Sequence, residues 1–219
     1  MPHASVVPLY FYYRAGHITI EKYLIKSETE KAHNIIYVIL LEYNMASENN
    51  SKDNRRKYVK YEREHSNSLW HAGWTKYSDD EKLIIIEDDA SRFIVGFGVY
   101  NEETIDNTIE TLAHAMEIYG RPEEILTYGT QLSSSDGNKF QQYLDDNNIK
   151  YILGSADNTQ RSGKLKRLNY TVKSLRPYFS TWEEVVYHYN YERMHDSLSI
   201  DDRPVVTPSM AYKDKMVVK

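Results

Sequence analysis

The sequence predicts an α/β fold: a mixed sheet flanked by helices, with a small helical N-terminal arm. Three observations predict it. Leu83–Ile86 is an uninterrupted apolar run, mostly β-branched, as a strand covered on both faces requires. Phe93–Tyr100 follows across a tight connection at Asp88–Ser91, so Lys82–Tyr100 reads as two joined strands. From there onward, helical and extended patterns alternate.

Taken in order, residues 1–28 carry few signals beyond turns at Pro8 and Gly16. Glu30–Tyr43 has a helical stripe at Ile35, Ile36, Ile39 and Leu40. It is either half of a helix-turn-helix or an ordinary packing helix. Asn49–Asn54 is polar and aperiodic, a linker. Lys52–His65 alternates basic and aromatic residues, and is either a phosphate-tracking arm or a solvated helix face. Ser68–Tyr77 is aromatic enough for a strand, and Ser78–Asp80 turns it back into Leu83–Ile86. Asn101 is positioned to cap a helix with Glu102 and Glu103 in its first turn. Ile105, Ile109, Leu112, Met116 and Tyr119 continue it, and Gly120 with Pro122 ends it. Glu124–Thr127 is a short strand, Phe140, Tyr143 and Leu144 mark a helix, and Ile149–Leu153 is another strand. Ser162–Leu175 is a third helix, and Thr181-Trp-Glu-Glu184 is a capping box opening a last one through Tyr191.

Composition narrows the functions on offer. With 219 residues and 41% hydrophobic content, the chain has enough apolar material for a sizeable core. It has no cysteine, which excludes disulfides, thiolate metal sites and cysteine nucleophiles. The 20 tyrosines follow no repeat and read as half-buried packing positions. The longest apolar run, Ile35–Leu41, is too short for a bilayer, and no signal peptide is legible at Met1, so a soluble, cytoplasmic protein without membrane contact is expected. The net charge of −5 argues mildly against nucleic acid for the chain as a whole. Its distribution argues otherwise. Lys52–Arg63 holds six basic residues against two acidic ones, and Arg161–Arg176 holds six basic residues and no acid.

Several motifs, in this order, resemble the catalytic core of retroviral-integrase-like transposases, the ribonuclease H-like fold of prokaryotic insertion-sequence elements. They are Tyr61–His71, Asp88-Asp-Ala-Ser-Arg-Phe93, Tyr119–Thr127 with Gly129-Thr-Gln131, Gly163-Lys-Leu-Lys-Arg167 with Asn169 and Lys173, and Tyr189–Leu198 followed by Thr207–Ala211. The resemblance spans Arg55 to about Ala211 and extends weakly into Glu30–Ala46. It implies a degenerate helix-turn-helix-like region over 1–50, a basic linker over 51–67, an integrase-like core over 68–180, and a C-terminal helix and tail over 181–219.

The resemblance also implies DNA transposition and integration chemistry, in which three carboxylates hold two Mg²⁺ or Mn²⁺ ions that clamp the attacking and leaving oxygens of a phosphodiester. Here the three acid positions are occupied by Gly73, Tyr128 and Lys166, with the second either replaced by tyrosine or lost in a one-residue deletion. Glycine offers no ligand, a protonated phenol is a poor one, and lysine repels a dication. At about 4 Å that repulsion is roughly 2 kcal/mol in water and roughly 8 kcal/mol at an effective dielectric of 20. Glu87 or Asp88 could lie opposite Gly73 across the hairpin and restore one ligand, leaving two positions empty. His71 is either a metal ligand or, more economically, a hydrogen-bonded structural histidine.

No metal cofactor is therefore expected in this copy, and the expected character is an inactive pseudoenzyme. DNA is the expected partner, through Arg55, Arg56, Lys57, Lys60, Lys164, Arg167 and Lys173, alongside a homo-oligomer or a mixed oligomer with intact transposase. Two alternatives stay open: a decayed remnant with no selected function, and an inhibitory partner of intact subunits.

Overall fold

The structure is a computed structural model that describes residues 9, 20, 21, 24, 33–43, 45, 46, 62–128, 137–154, 159–198 and 206–217. Arg55, Arg56, Lys57 and Lys60, with residues 51–61 of the proposed linker, and Gly129–Gln131 lie outside the described residues. The chain divides into two compact units, Met1–Lys60 with Ser174–Thr207 and Tyr61–Lys173 with Pro208–Lys219. The stretch 181–219 is thus shared between them.

In the first unit, helix α1 (His33–Glu42) buries Ile36, Ile39 and Leu40 against Ile20 and Leu24. Its apolar stripe is therefore real packing, although Ile35 and Val38 face outward. The capping box at Thr181 forms as the sequence predicts: its hydroxyl accepts from Glu184 N–H while the Glu184 carboxylate accepts from Thr181 N–H. The helix it opens, Trp182–Tyr187, continues into a π-turn over His188–Glu192.

The second unit is a five-stranded mixed sheet in the order β3-β2-β1-β4-β5. Strands β1 (Leu69–Lys76), β2 (Lys82–Asp88) and β3 (Ile94–Tyr100) form an antiparallel meander. Strands β4 (Glu124–Tyr128) and β5 (Lys150–Gly154) add in parallel on the other side of β1. Parallel neighbours need crossovers, supplied by α2 (Ile105–Tyr119) and α3 (Gly137–Asp146). The helix α2 starts later than the sequence predicts. Its N-cap is Thr104, whose hydroxyl accepts from Asn107 N–H, because β3 runs to Tyr100 and 101–103 only connect.

The sheet has two differently furnished faces. One carries Trp70, Ala72, Ile86 and Ile125, which pack with Leu112 and Ala115 of α2 and Phe140 and Leu144 of α3 into the main apolar core. Gly96 lets α2 come close, since a Cβ there would lie 2.9 Å from Ala115 Cβ. Tyr212, on the C-terminal helix α5 (Pro208–Asp214), stacks on Phe93 and donates to Asn67 Oδ1 at 2.8 Å. The opposite face carries the other phase of each strand, including His71, Gly73, Ile85 and Glu87. Against it lies α4 (Thr159–Leu175).

Candidate functional site

The second face of the sheet brings together the sequence positions of greatest interest. Gly73 sits on β1, and the β4 residue Thr127 pairs with Ala72, so Tyr128 stands beside Gly73 on the neighbouring strand. Helix α4 supplies the third wall. Its residue aimed at Gly73 is Leu165: a Cβ on Gly73 would lie 2.4 Å from Leu165 Cδ2. Lys166, one position further, is rotated about 100° around the helix and is exposed. The space beside Gly73 is thus filled by an aliphatic side chain.

The hairpin register settles where Glu87 and Asp88 go. Gly73 pairs with Ile85, His71 with Glu87, and Trp70 with Asp88. Neither acid lies opposite Gly73, so the replacement ligand that the hairpin could have offered is not there. Asp88 belongs to the turn. Its carboxylate accepts from Asn67 N–H at 2.8 Å, from Ser91 N–H at 2.9 Å and from Ser91 Oγ at 2.5 Å. Glu87 shares the face of His71 but is 1% exposed, and its Oε2 has no hydrogen-bond partner among the described residues. Burial drives its pKa up to about 8, against the pull of Arg92 and Lys164, so it is mostly protonated at neutral pH.

The centre of the site is Asp89, which the sequence did not single out. Its side chain is fully buried and its carboxylate is saturated. Oδ1 lies 2.6 Å from His71 Nε2 and 2.5 Å from Lys164 Nζ, and Oδ2 accepts from Arg63 N–H at 2.7 Å. Burial alone would raise the Asp89 pKa, but the His71 hydrogen bond and the Lys164 ammonium overcome it and hold the carboxyl well below the usual range. His71 moves the other way: burial lowers its pKa, with Lys164 and Arg92 adding to the effect against Asp89. It is therefore a neutral imidazole at pH 7, donating from Nε2 to Asp89. Its Nδ1 is left as an acceptor, 3.4 Å from Tyr128 Oη, and the two rings stack with 27° between planes. Lys164, whose pKa burial lowers, is the cation that balances Asp89.

A second ion cluster closes the rim. Arg92 has a left-handed backbone (φ 63°), a conformation costing about 1 kcal/mol that its contacts hold in place. Its guanidinium bonds Glu62 Oε2 at 2.6 Å and the carbonyl of Asp89. Lys215, from the C-terminal segment, reaches Glu62 Oε1 at 2.9 Å and Ala90 O at 2.6 Å. Three basic side chains, Lys164, Arg92 and Lys215, thus meet the carboxyl groups of Asp89 and Glu62.

The sequence-selected cations divide accordingly. Lys164 is committed to Asp89 instead of sharing an outward face with Arg167, which is exposed, while Lys173 is half-buried. Residue types alone could not have identified Asp89, because its partners come from 18 and 75 positions away. Among the described residues, no three His, Asp or Glu side chains are arranged to hold a metal ion, and no helix is long and apolar enough to cross a membrane.

No protein-family model and no curated protein matches the sequence. Solved structures do match. A chain of the simian T-cell lymphotropic virus intasome in complex with PP2A regulatory subunit B56 gamma aligns with a TM-score of 0.59 at 18% identity, over 95% of this chain and 74% of that one. The HTLV-2 integrase catalytic core domain in complex with magnesium (dimeric form) aligns with a TM-score of 0.54 at 18% identity, over 68% of this chain and 97% of that one. The catalytic core domain of BIV integrase gives 0.52 at 15% identity, over 68% and 95%. The sheet and its helices therefore have the ribonuclease H-like fold of retroviral integrase catalytic cores.

Proposed function

From an integrase-core fold furnished in this way, we propose a protein of the DNA transposition and integration class that binds DNA without carrying out metal-dependent strand transfer. The observation that carries the reading is Leu165 packed over Gly73, with its Cδ2 2.4 Å from where a Cβ on residue 73 would stand. A ligand there would need both a new side chain and the removal of Leu165. The remaining donors do not fit a magnesium-like ion either. Tyr128 is a phenol turned toward His71, and Asp89 already neutralises Lys164. Glu87 keeps its proton at neutral pH. Lys166 is exposed, so its repulsion of a dication is the weaker, aqueous figure of roughly 2 kcal/mol, and the missing carboxylates matter more.

DNA binding is supported by the basic, acid-free run Arg161–Arg176, by exposed Lys166 and Arg167 on α4, and by Arg55, Arg56 and Lys57 in the sequence. The solved relatives include an intasome and a dimeric core, which supports a second role for the same fold. A subunit that assembles without contributing acids would inhibit a mixed oligomer with intact transposase. A decayed remnant is less well supported, since the Leu165–Gly73 fit and the saturated Asp89 are mutually adjusted packing.

The test is an electrophoretic shift of labelled element-end duplex across a salt series, in EDTA and in Mg²⁺. The expected result is binding indifferent to EDTA, with log K falling by about 0.9 per phosphate contact for each log unit of salt. It should be lost when Arg55, Arg56 and Lys57 are replaced by serine. No binding at any salt would leave the remnant as the better account, and mixed complexes with an intact relative on size analysis would favour the inhibitor.

A further inference from the structure

The position beside Gly73 that offers no metal ligand does offer a different reactive group. Tyr128 Oη faces Nδ1 of a neutral imidazole, whose Nε2–H is fixed on a buried carboxylate. A hydroxyl, a base and an acid that orients the base are the three parts by which a weak nucleophile is activated. We propose that Tyr128 is a metal-independent nucleophile toward phosphodiesters, with His71 as its general base and Asp89 as the positioning residue for His71.

Each part is placed by the fold. The His71 ring is buried and pinned through Nε2 at 2.6 Å, so its tautomer is set with the lone pair on Nδ1. Asp89 cannot rotate away, since Lys164 and Arg63 N–H hold both of its oxygens. Tyr128 is half-buried at the end of β4, and its ring lies on Gly154, where any side chain would meet it at 2.6 Å. The 3.4 Å separation from Nδ1 is at the long end for a hydrogen bond, as is common before a substrate is bound.

The step is a transesterification and balances without a co-reactant. The phenolic oxygen forms a bond to phosphorus while the bond from phosphorus to one ester oxygen breaks. The phenolic proton passes to His71 Nδ1 and from there to solvent, and the departing oxygen takes a proton from water. The products are a phosphotyrosyl diester and one alcohol. Assigning DNA as the natural phosphodiester rests on the DNA-binding reading above, but the nucleophile itself does not.

The test therefore uses bis(4-nitrophenyl) phosphate in EDTA, whose leaving group needs no acid and whose binding needs no DNA surface. The expected result is a burst of one 4-nitrophenolate per chain with the matching mass gain on Tyr128. Tyr128→Phe, which keeps the ring and its packing, should abolish both. His71→Gln should slow the burst about 100-fold or more, the usual contribution of a general base. No burst from a folded wild-type chain overturns the proposal, as does an undiminished burst in Tyr128→Phe. A missing burst with DNA binding intact removes this inference alone. A burst with DNA binding absent removes the DNA reading and leaves the nucleophile.

Discussion

Replacing Glu87 with glutamine should stabilise the protein, and by an amount that depends on pH in a defined way. The residue is 1% exposed and its Oε2 has no partner among the described residues, while its pKa is driven from 4.5 up to about 8, mainly by burial. The sign follows from proton counting. Above about pH 4.5 the unfolded chain releases this proton and the folded chain keeps it, so rising pH favours unfolding until about pH 8. At about 1.4 kcal/mol per pH unit the full effect is roughly 5 kcal/mol, with roughly 3 kcal/mol of it developed by pH 7. Glu87→Gln keeps the shape and never ionises, so it removes this dependence. Urea denaturation of both proteins at pH 5, 7 and 9 measures it. The gain should be about 1 kcal/mol at pH 5, about 3 kcal/mol at pH 7 and about 5 kcal/mol at pH 9. A difference that stays flat across the three pH values would refute the reasoning, because Glu87 would then ionise as freely folded as unfolded.

Asp89 should behave in the opposite sense. Its pKa is held well below the usual 3.8, so its stabilisation is present above about pH 4 and lost as the pH falls below that. Asp89→Asn should accordingly flatten the acid limb of a Tm-versus-pH curve, and an unchanged limb would contradict the assignment. Lys164→Met leaves the buried Asp89 charge without its cation and should cost about 3 kcal/mol in denaturant titration. In the same variant the His71 pKa, followed by NMR, should rise, because Lys164 contributes to lowering it. Gly73→Asp should destabilise by about 1–3 kcal/mol through overpacking against Leu165, and Leu165→Ala should relieve part of that cost. Strict additivity of the two in a double-mutant cycle would show that the side chains do not meet.

Much of the frame was legible because it is local. The apolar run Leu83–Ile86 became the central part of β2, buried as expected, and Thr181 formed its capping box with Glu184 three residues on. The start of α2 was misplaced by a few residues because both Asn101 and Thr104 are competent caps. The choice fell to where β3 releases the chain, which local patterning does not encode. The site was less legible. Whether Glu87 or Ile85 faces Gly73 depends on hairpin register, set by the Tyr77–Glu81 turn. Whether Leu165 or Lys166 points at the sheet depends on the rotation of α4 about its axis, which residue identities two positions wide cannot fix. Asp88 and Asp89 are neighbours of the same type, yet one belongs to a turn and the other to His71 and Lys164. That difference exists only in three dimensions.

The central proposal is that this chain, with an integrase-core fold, does not perform metal-dependent strand transfer. Nicking and joining of labelled element-end DNA, run in parallel in Mg²⁺, Mn²⁺ and EDTA, tests it most directly. The account predicts no product in either metal above the EDTA lane. Product that appears with Mg²⁺ or Mn²⁺ and disappears with EDTA would contradict it, and would mean that Glu87 gives up its proton, or Asp89 its partners His71 and Lys164, to bind the ion.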